Sequence, residues 1–184
     1  MSAAIDRMAE QQEPYPLMLL DGGYDLLRAN RSATRLLPWP AAGAGGSGAN
    51  VFTLVFDPAM ARPLVANWET VAAAMLARLH RECLSRPDDA RLSRLLDHLL
   101  TLAEVPASWR HPDFSAPQAP TLEVWLERDN TRMGFLTTVT TFSAPGQVTL
   151  DELRIDSWYP LDEETATACR RSAERERELD ARPG

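Results

Sequence analysis

His80 and Cys83 stand three residues apart, a spacing that brings two metal-binding side chains over one turn of a helix. Zinc needs four ligands, or three and a water. His98 and His111 form no motif with the pair, which therefore reads as a half-exposed imidazole beside a core thiol. No metal or cofactor is expected. The stretch Gly43-Ala44-Gly45-Gly46-Ser47-Gly48 matches the spacing of a dinucleotide fingerprint. That fingerprint works between a strand and a helix start, where backbone amides converge on a pyrophosphate. Here Pro38-Trp39-Pro40 precedes it and no helix start follows, so its composition makes it a flexible loop. Asp88-Asp89 and Glu163-Glu164 are adjacent carboxylates at predicted helix starts, where they serve free amides and the helix dipole rather than acid–base chemistry. The sequence has no Gly-x-Ser-x-Gly elbow, and neither Cys83 nor Cys169 stands in a catalytic signature. These residues do not describe an enzyme.

The remaining candidates are apolar. Phe52, Phe56, Trp68, Met75, Phe135 and Tyr159 can line a space between helices and a sheet, and Arg28, Asn67 and Thr137 can hold a polar head group at its edge. Ligand pockets are mostly apolar with a few polar groups, and methionine adapts to varied shapes. Taken singly, each of these residues is better read as plain core, since large apolar residues are usually just buried.

The elements that position them follow from period and punctuation. Residues 1–13 read as a short polar helix or an unstructured arm. Two apolar runs, 17–20 and 24–27, flank Asp21-Gly22-Gly23 and predict a β-hairpin. Asn30 or Ser32 caps a short helix that Pro38 ends. The run 51–56 fits a short helix or a strand. Trp68, Val71, Ala72, Met75, Leu79 and Cys83 mark one face of a long helix, and Leu92, Leu95, Leu96, Leu99 and Leu102 mark the next. From 122 the period becomes two. Strands are predicted near 122–126, 133–142 and 150–159, the last with Leu153 and Ile155 on one face and Arg154 and Asp156 on the other. Trp125 and Trp158 then fall on the polar faces of two strands, where they pair into a patch suited to dimerisation if nothing covers it. Asp162 caps a last helix, whose charged end at 170–178 is expected to fray or project. The sum is an α+β fold: a five-stranded antiparallel sheet made by the hairpin and the closing meander, with a helical layer on one face.

Composition bounds the remainder. The 184 residues suit one domain able to bury roughly 70% of its unfolded surface, so no disulfide or metal is needed to hold a core. The net charge is −7, and all 19 basic residues are arginine, with no lysine. That balance argues against independent nucleic-acid binding. Two distant cysteines form no disulfide framework and suit a reducing, cytoplasmic setting. No run approaches the ~20 apolar residues of a membrane helix, and the polar N-terminus has no signal core.

The order of elements resembles the PAS-like arrangement, and several stretches resemble the ligand-binding domain of MmyB-type transcription regulators, within the XRE helix-turn-helix group. They are Tyr15-Pro16-Leu17-Met18-Leu19-Leu20-Asp21 with Tyr24-Asp25-Leu26-Leu27-Arg28-Ala29-Asn30; Asn50-Val51-Phe52 through Asp57-Pro58; Asn67-Trp68-Glu69; Thr137-Thr138-Val139-Thr140-Thr141-Phe142-Ser143-Ala144-Pro145 with Thr149-Leu150-Asp151-Glu152-Leu153; and Ser157-Trp158-Tyr159-Pro160. The likeness divides the chain into an N-terminal arm at 1–13, a PAS-like ligand-binding domain at 14–170 and a charged tail at 171–184. It implies a sensor of a small apolar molecule, such as a fatty acid, and it favours the cavity reading of the aromatic set. It also implies a helix-turn-helix, which residues 1–13 are too short to hold. DNA is then reached only through a helix-turn-helix domain absent from this chain. The chain is expected to be either a fragment of a regulator or a stand-alone sensor, and a homodimer is a possible partner state. Two alternatives stay open: a dimerisation module with a filled core, and a small α+β isomerase or hydratase, which needs an ionisable group deep in the pocket.

Overall fold

In the computed structural model, which describes residues 2–39, 49–102, 104–112, 114, 121–128, 130–142 and 153–181, five strands make one antiparallel sheet. The strands are β1 (Leu17–Leu20), β2 (Leu26–Ala29), β3 (Thr121–Arg128), β4 (Thr131–Phe142) and β5 (Leu153–Pro160), in the spatial order β2-β1-β5-β4-β3. The opening hairpin therefore joins the closing meander through β1 and β5, in register Leu17↔Ser157 to Leu20↔Arg154. The glycine-rich stretch 43–48 and the expected turn at 144–146 lie outside the described residues.

The helices are α1 (Ser2–Gln12), α2 (Arg31–Leu36), α3 (Val51–Phe56), α4 (Trp68–Ser85), α5 (Ala90–Thr101) and α6 (Glu163–Asp180). Polar side chains start four of them, α2, α3, α5 and α6. Asn30 Oδ1 accepts from Ala33 N at 2.9 Å and Leu17 N at 3.0 Å, while its amide donates to Tyr15 O at 2.8 Å, so one side chain caps α2 and ties it to β1. Asn50 accepts from Phe52 N at 3.1 Å and donates to Gly23 O at 2.8 Å. This cap resolves 51–56 as a helix. Asp89 and Asp162 cap α5 and α6.

The core between α3, α4, α5 and the sheet contains Phe52, Phe56, Leu76, Leu79, Leu92, Leu99 and Phe135, all under 2% exposed. A second, smaller cluster lies on the opposite face, where Ala9 and Ile5 of α1 cover Leu17, Leu19, Leu153 and Ile155. The N-terminal arm is thus a helix that shields the outer side of β1 and β5.

This corrects the expected tryptophan patch. Trp158 is 7% exposed and packs inward on Phe135 at 5.4 Å between ring centroids. Trp125 packs outward over Gly134, where an added Cβ would sit 2.6 Å from the ring, with the Arg132 guanidinium 4.6 Å from it. The physical reason is that β5 is central and covered on both faces, so polar alternation along it does not separate inside from outside. The charged end of α6, expected to fray or project, does not fray but does project, with Glu174, Arg175, Arg177 and Glu178 exposed. It stays helical to Asp180, with Arg35 paired to Glu176.

Candidate functional site

Between α3, α4 and the inner face of the sheet lies a cavity of about 320 Å³. That is the small end of the range for ligand pockets, roughly 300–1,000 Å³. Its apolar walls come from Leu122, Val124 and Leu126 of β3, Met18 and Leu20 of β1, Phe52 and Val55 of α3, and Val71, Ala74 and Met75 of α4. The strand register orders the sheet side into rungs. One rung holds Leu122, Thr137 and Trp158; the next holds Val139, Asp156 and Met18; the one beyond holds Thr141, Arg154 and Leu20. Polarity is therefore concentrated at one end of the inner face, where Arg78 and Arg81, one turn apart on α4, also reach the cavity wall.

Of the residues singled out from the sequence, Phe52, Met75 and Thr137 line this cavity. Phe56 is fully buried beside it, stacked on Phe52 at 6.5 Å and edge-on to Trp68 at 5.8 Å. Phe135 lies behind Trp158. The Trp68 indole donates to Val55 O at 2.9 Å and lies under the Arg62 guanidinium, 3.9 Å from the ring centroid. Asn67 joins the start of α4 to β3, donating to Glu123 O and accepting from Trp125 N, each at 2.9 Å. Arg28 is exposed and paired with Asp6. Tyr159 is 44% exposed on the outer face.

Asp156, Arg78, Trp158 and Tyr24 were not singled out for the site. Although part of Asp156 keeps some surface, its Oδ1 is buried and makes no hydrogen bond. Burial pushes the carboxyl up to about 6, against the pull of the Trp158 indole and the Arg78 charge. Trp158 Nε1 is buried close by, without a hydrogen bond of normal geometry. Arg78 forms no hydrogen bond or ion pair with a described residue. One signal was legible: Trp158 shares a strand face with Asp156 and Arg154, and a large aromatic on the middle strand of a sheet is usually buried.

The next charges pair with one another. Arg154, 3% exposed, meets Glu82 of α4 at 2.8 Å, and its guanidinium lies 4.1 Å from the Tyr24 ring centroid. The Tyr24 hydroxyl donates to Glu82, which also holds Arg86 at 2.6 Å. Burial first, and the Glu82 charge after it, hold the Tyr24 phenol far above its ordinary value, so it stays protonated. Tyr24 follows the hairpin turn at φ 67°, a left-handed conformation. Asp21 fixes that turn by accepting from Gly23 N and Asp25 N, both at 2.8 Å, and by pairing with Arg91 at 2.7 Å.

The other candidates stay apart from this space. His80 Nε2 lies 3.2 Å from Trp109 O. Burial raises the Cys83 thiol, and it raises Cys169 to about 11, which keeps both weakly nucleophilic. Among the described residues no group of three or more His, Cys, Asp or Glu is placed to hold a metal, and no helix is long and apolar enough to cross a membrane.

The sequence model of the MmyB-like transcription regulator ligand binding domain matches residues 1–171. The chain belongs to that family. No curated protein matches it.

Proposed function

We propose, with this membership as the premise, that the chain is the sensor domain of a transcription regulator and takes a small apolar, fatty-acid-like molecule into the cavity between α4 and the sheet. The observation that carries the reading is the mostly apolar space itself, set between α3, α4 and the inner face of the sheet. A guest there touches Met75 and Arg78 of α4 and, across the cavity, Tyr24 beside the hairpin. The Tyr24–Glu82 hydrogen bond couples those two elements. Response then follows as a population shift: a guest that prefers one packing of α4 on the sheet stabilises that packing, and a tethered DNA-binding domain or a partner copy reads it out.

Asp156 is an ionisable group in the pocket, which the isomerase or hydratase alternative requires. No histidine or cysteine joins it on the described cavity wall, so binding is the stronger reading. Homodimerisation is the second reading. It rests on the outer face of β4 and β5, where Leu136 pairs in register with exposed Tyr159, and sedimentation velocity tests it.

Native mass spectrometry of the purified chain tests the sensor reading, together with thermal unfolding in the presence of acyl compounds. The expected results are a noncovalent adduct and a higher Tm, both lost in Ala74→Phe, which fills the space. A protein with no adduct, and with a Tm unmoved by every acyl compound, sinks it.

A further inference from the structure

The cavity has opposite charges at one end and no direct contact between them. Asp156 on β5 and Arg78 on α4 both reach its wall and interact through space, yet they form no ion pair with each other, Asp156 Oδ1 is buried without a hydrogen bond, and Arg78 makes none with a described residue; the Trp158 indole is the one group that pulls on the carboxyl from close by. Elsewhere on the same two elements, Arg154 and Glu82 close to 2.8 Å. Geometry at this packing distance thus allows contact between α4 and β5, and Arg78 and Asp156 leave a gap instead.

The gap states what can fill it. A hydrocarbon satisfies neither group. A carboxylate satisfies Arg78 but sets a like charge beside Asp156, and an amine does the reverse. A carboxamide accepts from Arg78 through its C=O, donates to Asp156 through its N–H and brings no net charge into a poorly solvated site. The other charged groups facing Asp156 do not change the balance. From α4 come Arg81, which also stacks over Phe114, and Glu82, which is engaged with Arg154, Arg86 and Tyr24. From β5 comes Arg154 itself. The neighbours across the ladder, Met18 and Val139, carry no charge.

Resting on the ligand-binding reading above, we propose that the guest is a neutral amphipath whose head places an N–H beside a C=O, such as an acyl-chain carboxamide. Its chain lies in the apolar body of the cavity and its head lies between Arg78 and Asp156. A free fatty acid is the disfavoured form while Asp156 is ionised, and it gains when that carboxyl takes up a proton near pH 6.

The test uses the full chain and three compounds of one chain length, decanamide, decanoate and decane, titrated by calorimetry at pH 8 and pH 5.5. The expected result at pH 8 is decanamide binding about tenfold tighter than decanoate, as one charge-assisted hydrogen bond gained or lost supplies. The gap should narrow at pH 5.5. Asp156→Asn should remove most of decanoate's disadvantage, and Arg78→Gln should weaken decanamide. Decanoate binding as tightly as decanamide at pH 8 overturns the head-group assignment and leaves the sensor reading standing. Decane binding as tightly as decanamide does the same. Binding by none of the three overturns both. The ranking in the unmodified chain decides the matter even if a variant folds poorly.

Discussion

Arg154 and Asp156 stand two residues apart on one face of β5, opposite the same stretch of α4, and they meet different fates. Arg154 is enclosed by a carboxylate, an aromatic ring and, through Glu82, a second arginine and a phenol. Asp156 keeps a buried oxygen without a hydrogen bond, across from Arg78, which makes no ion pair or hydrogen bond with a described residue. Burying charge is costly unless it is paired and hydrogen-bonded. The closed set therefore fixes how α4 sits on the sheet, while the open set is a stored penalty that a suitable guest removes. Fold and binding capacity thus come from neighbouring charges that differ in whether a counter-charge of the protein meets them: Glu82 meets Arg154 at 2.8 Å, although Arg154 Nη1 is buried without a hydrogen bond, and no ion pair with a described residue meets Asp156.

The sharpest way to break this comparison is Glu82→Ala, which leaves Arg154 buried without its counter-charge. Chemical unfolding should show a loss of about 3 kcal/mol. A loss no larger than the ~0.5 kcal/mol of an exposed pair would mean the closed set does not hold the fold.

Asp156→Asn should act in the opposite direction and depend on pH. The folded carboxyl titrates near 6, above its ordinary 3.8, so its neutral form is the stable one. Its contribution to stability is complete below about 3.8 and is lost as pH rises through 6. The variant lacks this loss and should exceed the wild type by on the order of 2 kcal/mol at pH 8, with the difference shrinking toward pH 4. A difference that stays constant from pH 4 to pH 8 would count against a buried, uncompensated Asp156.

The smallest effect belongs to Arg78→Gln. With no ion pair or hydrogen bond to a described residue to lose, its unfolding free energy should stay within about 0.5 kcal/mol of wild type. A larger loss would place Arg78 in the closed set instead.

Much of the fold could be read along the chain because local rules agreed with the final packing. The period-four face of α4, the caps at Asn30, Asp89 and Asp162, and the closing strands all appear where residue type and spacing place them. Residues 51–56 stayed undecided because five apolar residues around Thr53 fit a helix or a strand equally. The hydrogen bonds of Asn50 to Phe52 N and Gly23 O settle that segment. The site was less legible. Phe52, Met75 and Thr137 reach the cavity, whereas Asn67 spends its amide on β3 and Arg28 faces Asp6 outside.

What the sequence determined alone was therefore the set of elements, their order and their membership in an α+β sheet with helices, since periodicity and capping act over a few residues. Which face of β5 turns inward was decided only by tertiary structure. A central strand is buried on both sides, and the choice rests on long-range partners: α1 covering Ile155 on one face, and Glu82, Tyr24 and α4 receiving Arg154 and Asp156 on the other.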